Sequence, residues 1–435
     1  MYFLKRQVFQ NVFFFTGLFL TCIFPTAIRS ENSCESFSSI AEILACVQEH
    51  HPAVQIARAD VQAGNADIET AGQWPNPELE GELNSGPSGE ITYLHTFEPG
   101  DRRDLRTTAA RRMRRRSEAR LALARQDAVL ETLHTLFLWQ QNKAIGERLA
   151  AIESTYNQAL YRLHRLPVLT PEKRTYILTL RLAMKTIQQQ KVLLMDERQT
   201  LSNRMAYFLN RTEAPNLDVT DRLLATGLPD YSAENPIRSA ELEEEAANAA
   251  GYEALYRLEQ SRVWPDLQIG PRVGFSTESS PGPLGIGSST GQEFEAGLAF
   301  RIRIPLYNQN DGAIEAARQR ARGARLRQSI TEDRLLNEQR RLADSYGNYR
   351  RLLREAVTPA QLENERRLLT NYLQRGVLSP LQLIEYHRTQ LEYLRQYFEL
   401  RRAATLTLWK LYSLDGTLLQ PEFLNSFDAD QEAQQ

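Results

Sequence analysis

The sequence predicts a mainly α-helical chain carrying membrane-type β-strands, built as a duplicated helix–β-hairpin–long helix unit. Three observations predict it. The stretch Gln292 to Arg325 alternates apolar and polar residues and then turns directly into an Ala- and Arg-rich helical run. Two helical stretches, 101–164 and 312–372, are far longer than the globular norm. Motifs of the first half also recur in order in the second.

Composition bounds the reading first. The 435 residues carry a formal net charge of -2, which argues against a general nucleic-acid binder. A 42% apolar content and a mean hydropathy of -0.46 exclude a polytopic helical membrane protein. Lys5 and Arg6 precede an apolar run from Val12 to Phe24, the layout of a secretory signal peptide over residues 1–30. Thr21 before Cys22 argues against lipoprotein processing. After export, Cys34 and Cys46 remain, and an even pair in an exported chain can form a disulfide or stay as two buried thiols.

The first structural repeat is expected over 31–209. Ile40, Ile43, Leu44 and Val47 begin a helical pattern that runs to Gly72, with a start or kink at His51-Pro52. Leu79, Gly81 and Leu83 alternate with Glu78, Glu80 and Glu82, and a Ser85–Gly89 turn leads to a second strand, Glu90 to Phe97. From Asp101 to His164 there is no proline, and Leu123, Leu130, Phe137, Ala144 and Ala151 fall seven apart, which predicts coiled packing. Leu166 to Pro171 forms a tip, and Glu172 to Leu209 a returning helix. A polar connector, 210–236, is expected to pack against the helical shaft.

The second repeat, 237–414, follows the same plan. Ile237 to Arg262 reads as a helix, and Leu267, Ile269, Val273 and Phe275 as one phase of a strand. A Gly/Ser/Pro-rich loop, Thr277 to Gly291, leads to the strand Phe294 to Leu306. One unbroken helix is expected from Gly312 towards Tyr372, with Leu335, Leu342 and Tyr349 seven apart. Arg375 to Pro380 forms the second tip, and a polar tail occupies 415–435. The duplication is visible in Val168-Leu169-Thr170-Pro171 against Val377-Leu378-Ser379-Pro380, and in Trp74-Pro75 against Trp264-Pro265.

Four strands cannot satisfy their edges in a bilayer. Three chains would supply twelve, an even number within the range of outer-membrane barrels. The apolar phase Phe294 to Leu306 should then face lipid and Arg301 and Arg303 the lumen, with Trp74 and Trp264 in an interfacial aromatic belt.

Several motifs carry a family resemblance over essentially the whole mature length. They are Asn76-Pro77-Glu78-Leu79; Phe97-Glu98-Pro99-Gly100 with Arg102 and Arg103; Ile304-Pro305-Leu306 followed by Asn308, Asn310, Gly312 and Ala316; Gly376, Ser379 and Leu383; and Leu414-Asp415-Gly416. In order and spacing the chain resembles the TolC-like outer-membrane efflux proteins. The resemblance implies a homotrimer with a 12-stranded β-barrel in outer-membrane lipid, continued by a periplasmic α-helical barrel. It also implies a passive duct docked to a periplasmic adaptor and an inner-membrane proton-driven pump. The short barrel loops and Asn76-Pro77-Glu78-Leu79 resemble the outer-membrane subunits of cobalt-zinc-cadmium efflux systems, which implies divalent heavy-metal cargo. Drugs or other small organic molecules are the alternative cargo, and a periplasmic coiled-coil adaptor or structural protein is the alternative of another class.

No catalytic constellation, cofactor motif or metal site is visible in the sequence. His134, His164 and His387 read as polar-face or packing residues, and His50-His51 before a proline is no site alone. The family's periplasmic constriction carries two Asp after Gly and Ser/Thr. Here Gly376 and Ser379 match, Gln382 stands for the first Asp, and Glu385 for the second, leaving one carboxylate ring or a solvated helix residue. Val168, Leu169, Thr170, Gly376, Val377, Leu378 and Ser379 are expected to dock the adaptor or to pack the hairpin. Pro99, Gly100, Pro305, Asn310 and Gly312 mark the barrel–shaft junctions. Arg102, Arg103, Arg106, Arg111, Arg112, Arg114, Arg115 and Arg116 form a basic run suited either to inner-leaflet phosphates or to an acidic tunnel wall.

Overall fold

The computed structural model describes residues 34, 37–83, 88–165, 170–213, 215–217, 227–232, 234–281, 288–374 and 379–424. The chain divides into two units, Met1–Ser36 and Phe37–Gln435. The expected signal peptide lies outside the described residues, and so do most of both tips.

α1 (Ile40–His50) buries Ile40, Ile43, Leu44 and Val47, the i, i+3, i+4, i+7 stripe of an amphipathic helix. Ser39 caps it by accepting the Glu42 amide at 3.2 Å. The chain then restarts as α2 (Pro52–Gly72), with His51 as N-cap and Pro52 at the first helical position, where a missing N–H costs nothing. The His51 Nδ1 accepts from the Ala53 amide, and its ring packs on Phe208 at 5.2 Å.

β1 (Glu78–Leu83), β2 (Gly89–Phe97), β3 (Leu267–Pro281) and β4 (Ser288–Ile302) form one antiparallel sheet in sequence order. The two hairpins lie side by side, with Phe97 opposite Leu267 and Leu267 opposite Ile302. The expected loop Thr277–Gly291 is mostly strand: β3 and β4 stay paired out to Pro281 opposite Ser288. Ser, Thr and Gly had disguised this extension, because they lack an apolar phase although their backbones still pair. β4 stops at Ile302, short of the expected Leu306. Pro305 has no N–H for a ladder.

Register puts Leu79, Ile91, Phe275, Phe294, Leu298 and Phe300 on one face. Phe294, Leu298 and Phe300 are 74%, 79% and 77% exposed. The other face carries Glu78, Glu80, Glu90, Thr92, Gln268, Arg272, Glu295 and Arg301. Flat, the outer strands of four would stand on the order of 14 Å apart. Arg301 of β4 nevertheless bonds Glu78 and Glu80 of β1, so the sheet curls with its polar face inward. Leu94, on that concave side, is fully buried. Between β2 and β3 the pairing skips the stretch where Gly270 and Pro271 face Tyr93 and Leu94. Pro271 cannot donate there, and a Cβ on Gly270 would overlap the Tyr93 carbonyl.

α3 (Arg102–His164) has 63 residues, a rod of about 95 Å. It packs against α2 and α5 (Ala240–Ser261) near the sheet and against α4 (Pro171–Phe208) and α8 (Pro380–Leu414) further out. Of the predicted seven-residue series only Phe137 is fully buried; Leu123, Leu130, Ala144 and Ala151 are half-buried. The middle of α3 is enclosed on nearly every side, and Thr132, Thr135, Gln126, Gln140 and Asn142 are buried with the apolar residues. Burial therefore extends well beyond the single seven-residue stripe from which coiled packing was expected. Thr132 and Thr135 satisfy their hydroxyls on the carbonyls four residues back.

The second long helix breaks. α6 (Asp311–Glu355) ends before Pro359, and α7 (Pro359–Gln374) restarts there. A proline inside a helix removes an N–H and clashes with the preceding turn, and it pushes Thr358 out of the helical region. Tyr393 of α8 fills the gap: its hydroxyl accepts from the Val357 amide at 2.8 Å and donates to the Val357 carbonyl at 3.2 Å. The connector packs on α6, where Tyr346 donates to the Pro229 carbonyl and Arg350 to that of Leu228. The described part of the tail packs on the helices: Leu418 is buried and Phe423 meets Tyr412 ring to ring at 5.3 Å. Among the described residues no helix is long and apolar enough to cross a membrane.

Candidate functional site: the junctions, the latch and the α8 entrance

Both long helices start from the same strained geometry. Asp101 caps α3 and Asn310 caps α6, each with left-handed φ (48° and 65°) and neither with a side-chain cap bond. Asn and Asp tolerate this region best among residues with a Cβ. Gly100, also left-handed at φ 64°, completes the first turn after Pro99. Gly312 lies inside the first turn of α6 with open space where a Cβ would stand, so Asn310 carries the unusual conformation at the second junction. The Asn310 side-chain Nδ2 donates to the carbonyl and carboxylate of Glu259, at the end of α5. Arg102 makes the matching tie at the first junction, bonding Asp266, the Trp264 carbonyl and the Ser261 carbonyl. Both junctions thus lock onto the end of α5.

Arg102, Arg106, Arg114 and Arg116 of the basic run are each engaged by other protein groups. Arg106 bonds Glu98 at 2.6 Å and the Ala71 and Gln73 carbonyls at 2.9 Å. Arg114 pairs with Glu118, and Arg116 with Glu244.

The tip motif has a plain local cause. Thr170 and Ser379 are N-caps, each followed by proline at the first helical position. Ser379 and Gln382 form a reciprocal capping box: the Gln382 amide donates to the Ser379 Oγ at 3.3 Å, and the Ser379 amide to the Gln382 Oε1 at 3.0 Å. Gln382 is therefore engaged in the cap. Val168, Leu169, Gly376, Val377 and Leu378 lie outside the described residues. Glu385 is exposed on α8, one turn on, and Arg388 bonds it at 2.7 Å. That guanidinium holds the Glu385 carboxyl below the usual range.

Sequence reasoning missed the cluster that secures α7. Arg148 of α3 is nine-tenths buried and donates to Glu363 of α7 and to the Leu362 carbonyl. Gln390 of α8 donates to the same carbonyl at 3.1 Å. Glu363 also takes Arg366, and the hydrogen bonds of Arg366 and then Arg148 hold its carboxyl down at about 2 against the opposing effect of burial. His387 of α8 is 1% exposed beneath this latch, between Tyr156 at 5.3 Å and Tyr386 at 5.8 Å. The Glu363–Arg366 spacing and Pro359 were legible signals; nothing in the sequence pointed to Arg148.

Burial, reinforced by Arg148 and Arg366, pushes the His387 imidazole down to about 4 from 6.5. The unfolded chain binds this proton at a higher pH than the folded one. Stability is full above about pH 6.5 and falls as pH drops towards 4, by up to about 3 kcal/mol. Glu363 stays ionised throughout that window. Thermal unfolding between pH 7 and 4.5 should therefore show a steep slope that His387→Leu flattens. Equal slopes in both proteins would remove His387 as the cause.

The other predicted positions take structural roles. The His164 Nδ1 meets the Leu160 carbonyl, and His134 lies beside Arg402. Cys34 and Cys46 are each disulfide-bonded.

No family profile matches the sequence, and a search of curated proteins finds no match. Solved structures do match in fold. The chain is similar to the Campylobacter jejuni CmeC outer membrane channel, with a TM-score of 0.66 and 11% identity, over 91% of this chain and 89% of that one. It is similar to CusC, whose crystal structures concern folding and transmembrane channel formation, with a TM-score of 0.62 and 16% identity, over 87% and 92%. The Vibrio cholerae outer membrane protein VceC gives 0.61 and 15%, over 87% and 96%. The chain has the fold of these proteins: repeated helix, hairpin and long-helix units carrying a small sheet.

Proposed function

We propose that this chain is the outer-membrane channel of a tripartite efflux system, working as a homotrimer. Three four-stranded sheets close into a twelve-stranded barrel in outer-membrane lipid, and the long helices continue it through the periplasm. A periplasmic adaptor meets the tips and an inner-membrane proton-driven pump supplies the cargo. One observation carries the reading: the sheet is apolar and exposed on its convex face, and charged on its concave face. That is the pattern of a wall between lipid and water. A soluble adaptor would have no reason to expose Phe294, Leu298 and Phe300 together. The reading is of a passive, non-catalytic conduit. It assigns the choice between divalent metal cations and small organic solutes to the pump, because Arg388 pairs with Glu385, the one carboxylate among the described residues 379–387 at the start of α8.

The test is conductance in planar bilayers. The purified trimer should form ion-conducting pores, and a protein without conductance would end the proposal. Glu385→Gln frees Arg388 and adds one positive charge per chain. It should shift the reversal potential in a salt gradient towards anions, and Arg388→Gln should shift it towards cations. Unchanged reversal potentials in both would place this pair away from the constriction.

A further inference from the structure

We infer that Arg103 and Trp74 form a binding site for the headgroup of an anionic phospholipid in the periplasmic leaflet; this rests on the barrel reading above. The argument begins with what holds Trp74. Arg106 bonds the Ala71 and Gln73 carbonyls, so the end of α2 is pinned against the first turns of α3. The next residue, Trp74, is 55% exposed. Its ring lies 6.3 Å from His95, which in turn meets Phe97 edge-on at 4.9 Å. His95 and Phe97 belong to the apolar phase of β2, opposite Ile269 and Leu267. Trp74 therefore sits on the lipid-facing side, at the end of the sheet where the helices begin.

Arg103 stands three residues before Arg106 on α3, and its guanidinium stacks over the Trp74 ring at 4.5 Å. The contrast with its neighbours is informative. Arg102 and Arg106 are each held by a carboxylate and by backbone carbonyls. Among the described residues the Arg103 side chain has the stacking contact, with no carboxylate within ion-pair distance. Stacking fixes the plane of a guanidinium while leaving its edge donors free, the arrangement that suits a phosphate. The ring beneath it offers an apolar body at the depth where headgroups give way to acyl chains. Phosphate on the guanidinium edge, with its acyl chain running along Phe97 and the β2 face, satisfies both halves. The partner is thus a glycerophospholipid with net negative charge, attracted also by the local field.

The test uses the full-length trimer carrying Trp264→Phe, which leaves Trp74 as the exposed tryptophan, since Trp139 and Trp409 are buried. The protein is reconstituted in phosphatidylcholine bilayers containing increasing fractions of acyl-brominated phosphatidylglycerol, or of brominated phosphatidylcholine as the neutral comparison. Brominated phosphatidylglycerol should quench Trp74 at much the lower fraction. Arg103→Gln should raise its half-quenching fraction about tenfold, as expected for losing one charged hydrogen-bonding partner. Arg103→Lys should fall between, keeping charge without the planar stack. Unchanged emission of Trp139 and Trp409 checks the fold. The same phosphatidylglycerol preference in Arg103→Gln would overturn the headgroup site and leave the barrel reading standing. No quenching by either brominated lipid would overturn the barrel reading itself.

Discussion

Leu298→Arg is expected to remove assembled protein from the outer-membrane fraction. Leu298 lies near the middle of β4 on the convex face, 79% exposed, opposite Pro271. In the proposed barrel, a charge at the middle of a lipid-facing strand costs about 2–4 kcal/mol per chain, and the proposed trimer carries it three times. Heat-sensitive trimers on gels and membrane fractionation would read the loss. The matched control is Glu295→Arg, three residues away on the concave face, where water accepts either sign. It should stay within about 1 kcal/mol of the parent, as lumen-facing substitutions do. If the two variants behave alike, the assignment of faces is wrong. If Glu295→Arg alone fails, the sheet is inside out.

Glu363→Ala is expected to be the most damaging single change in the shaft. It strands the Arg148 guanidinium, nine-tenths buried on α3, without its carboxylate. Breaking one partner of a buried pair costs about 3–5 kcal/mol; here Glu363 is one-third exposed, which places the expected loss near about 3. α7 should respond first, because a break at Pro359 separates it from α6 and polar ties secure it to α3 and α8. Hydrogen exchange should show α7 amides losing protection while those of α6 keep theirs. Arg148→Met together with Glu363→Ala should recover part of the stability, because no charge is then left buried. Uniform loss of protection along α6 and α7 would mean that the Pro359 break does not uncouple them.

The parts of the fold legible in the sequence were those with a local cause. Alternation over Phe294–Ile302 reports a strand because the strand period is two, and the register confirms which residues share its face. The repeated Thr170-Pro171 and Ser379-Pro380 are legible because an N-cap and a first-turn proline act within four residues. Asp101 and Asn310 show the duplication again in backbone geometry. Where local signals misled, the reason is equally local. Ser, Thr and Gly concealed the outer ends of β3 and β4. A seven-residue series in α3 suggested coiled packing along one stripe, where enclosure on several sides had buried polar residues as well. Pro359 was in plain view, and heptad spacing on the α6 side hid its consequence.

The sequence by itself determined the repeated plan, the strand faces and the helix starts, because propensity, period and capping are properties of neighbouring residues. Only the tertiary structure decided which charges are spoken for. Arg148 meets Glu363 across 215 positions and Arg301 meets Glu80 across 221, and no local pattern relates residues so far apart. Contacts distant in sequence also set Arg102, which meets Asp266 across 164 positions, apart from its neighbour Arg103, which stacks on Trp74. Their side chains are chemically identical, and what distinguishes them is which carbonyl or carboxylate the fold brings within about 3 Å.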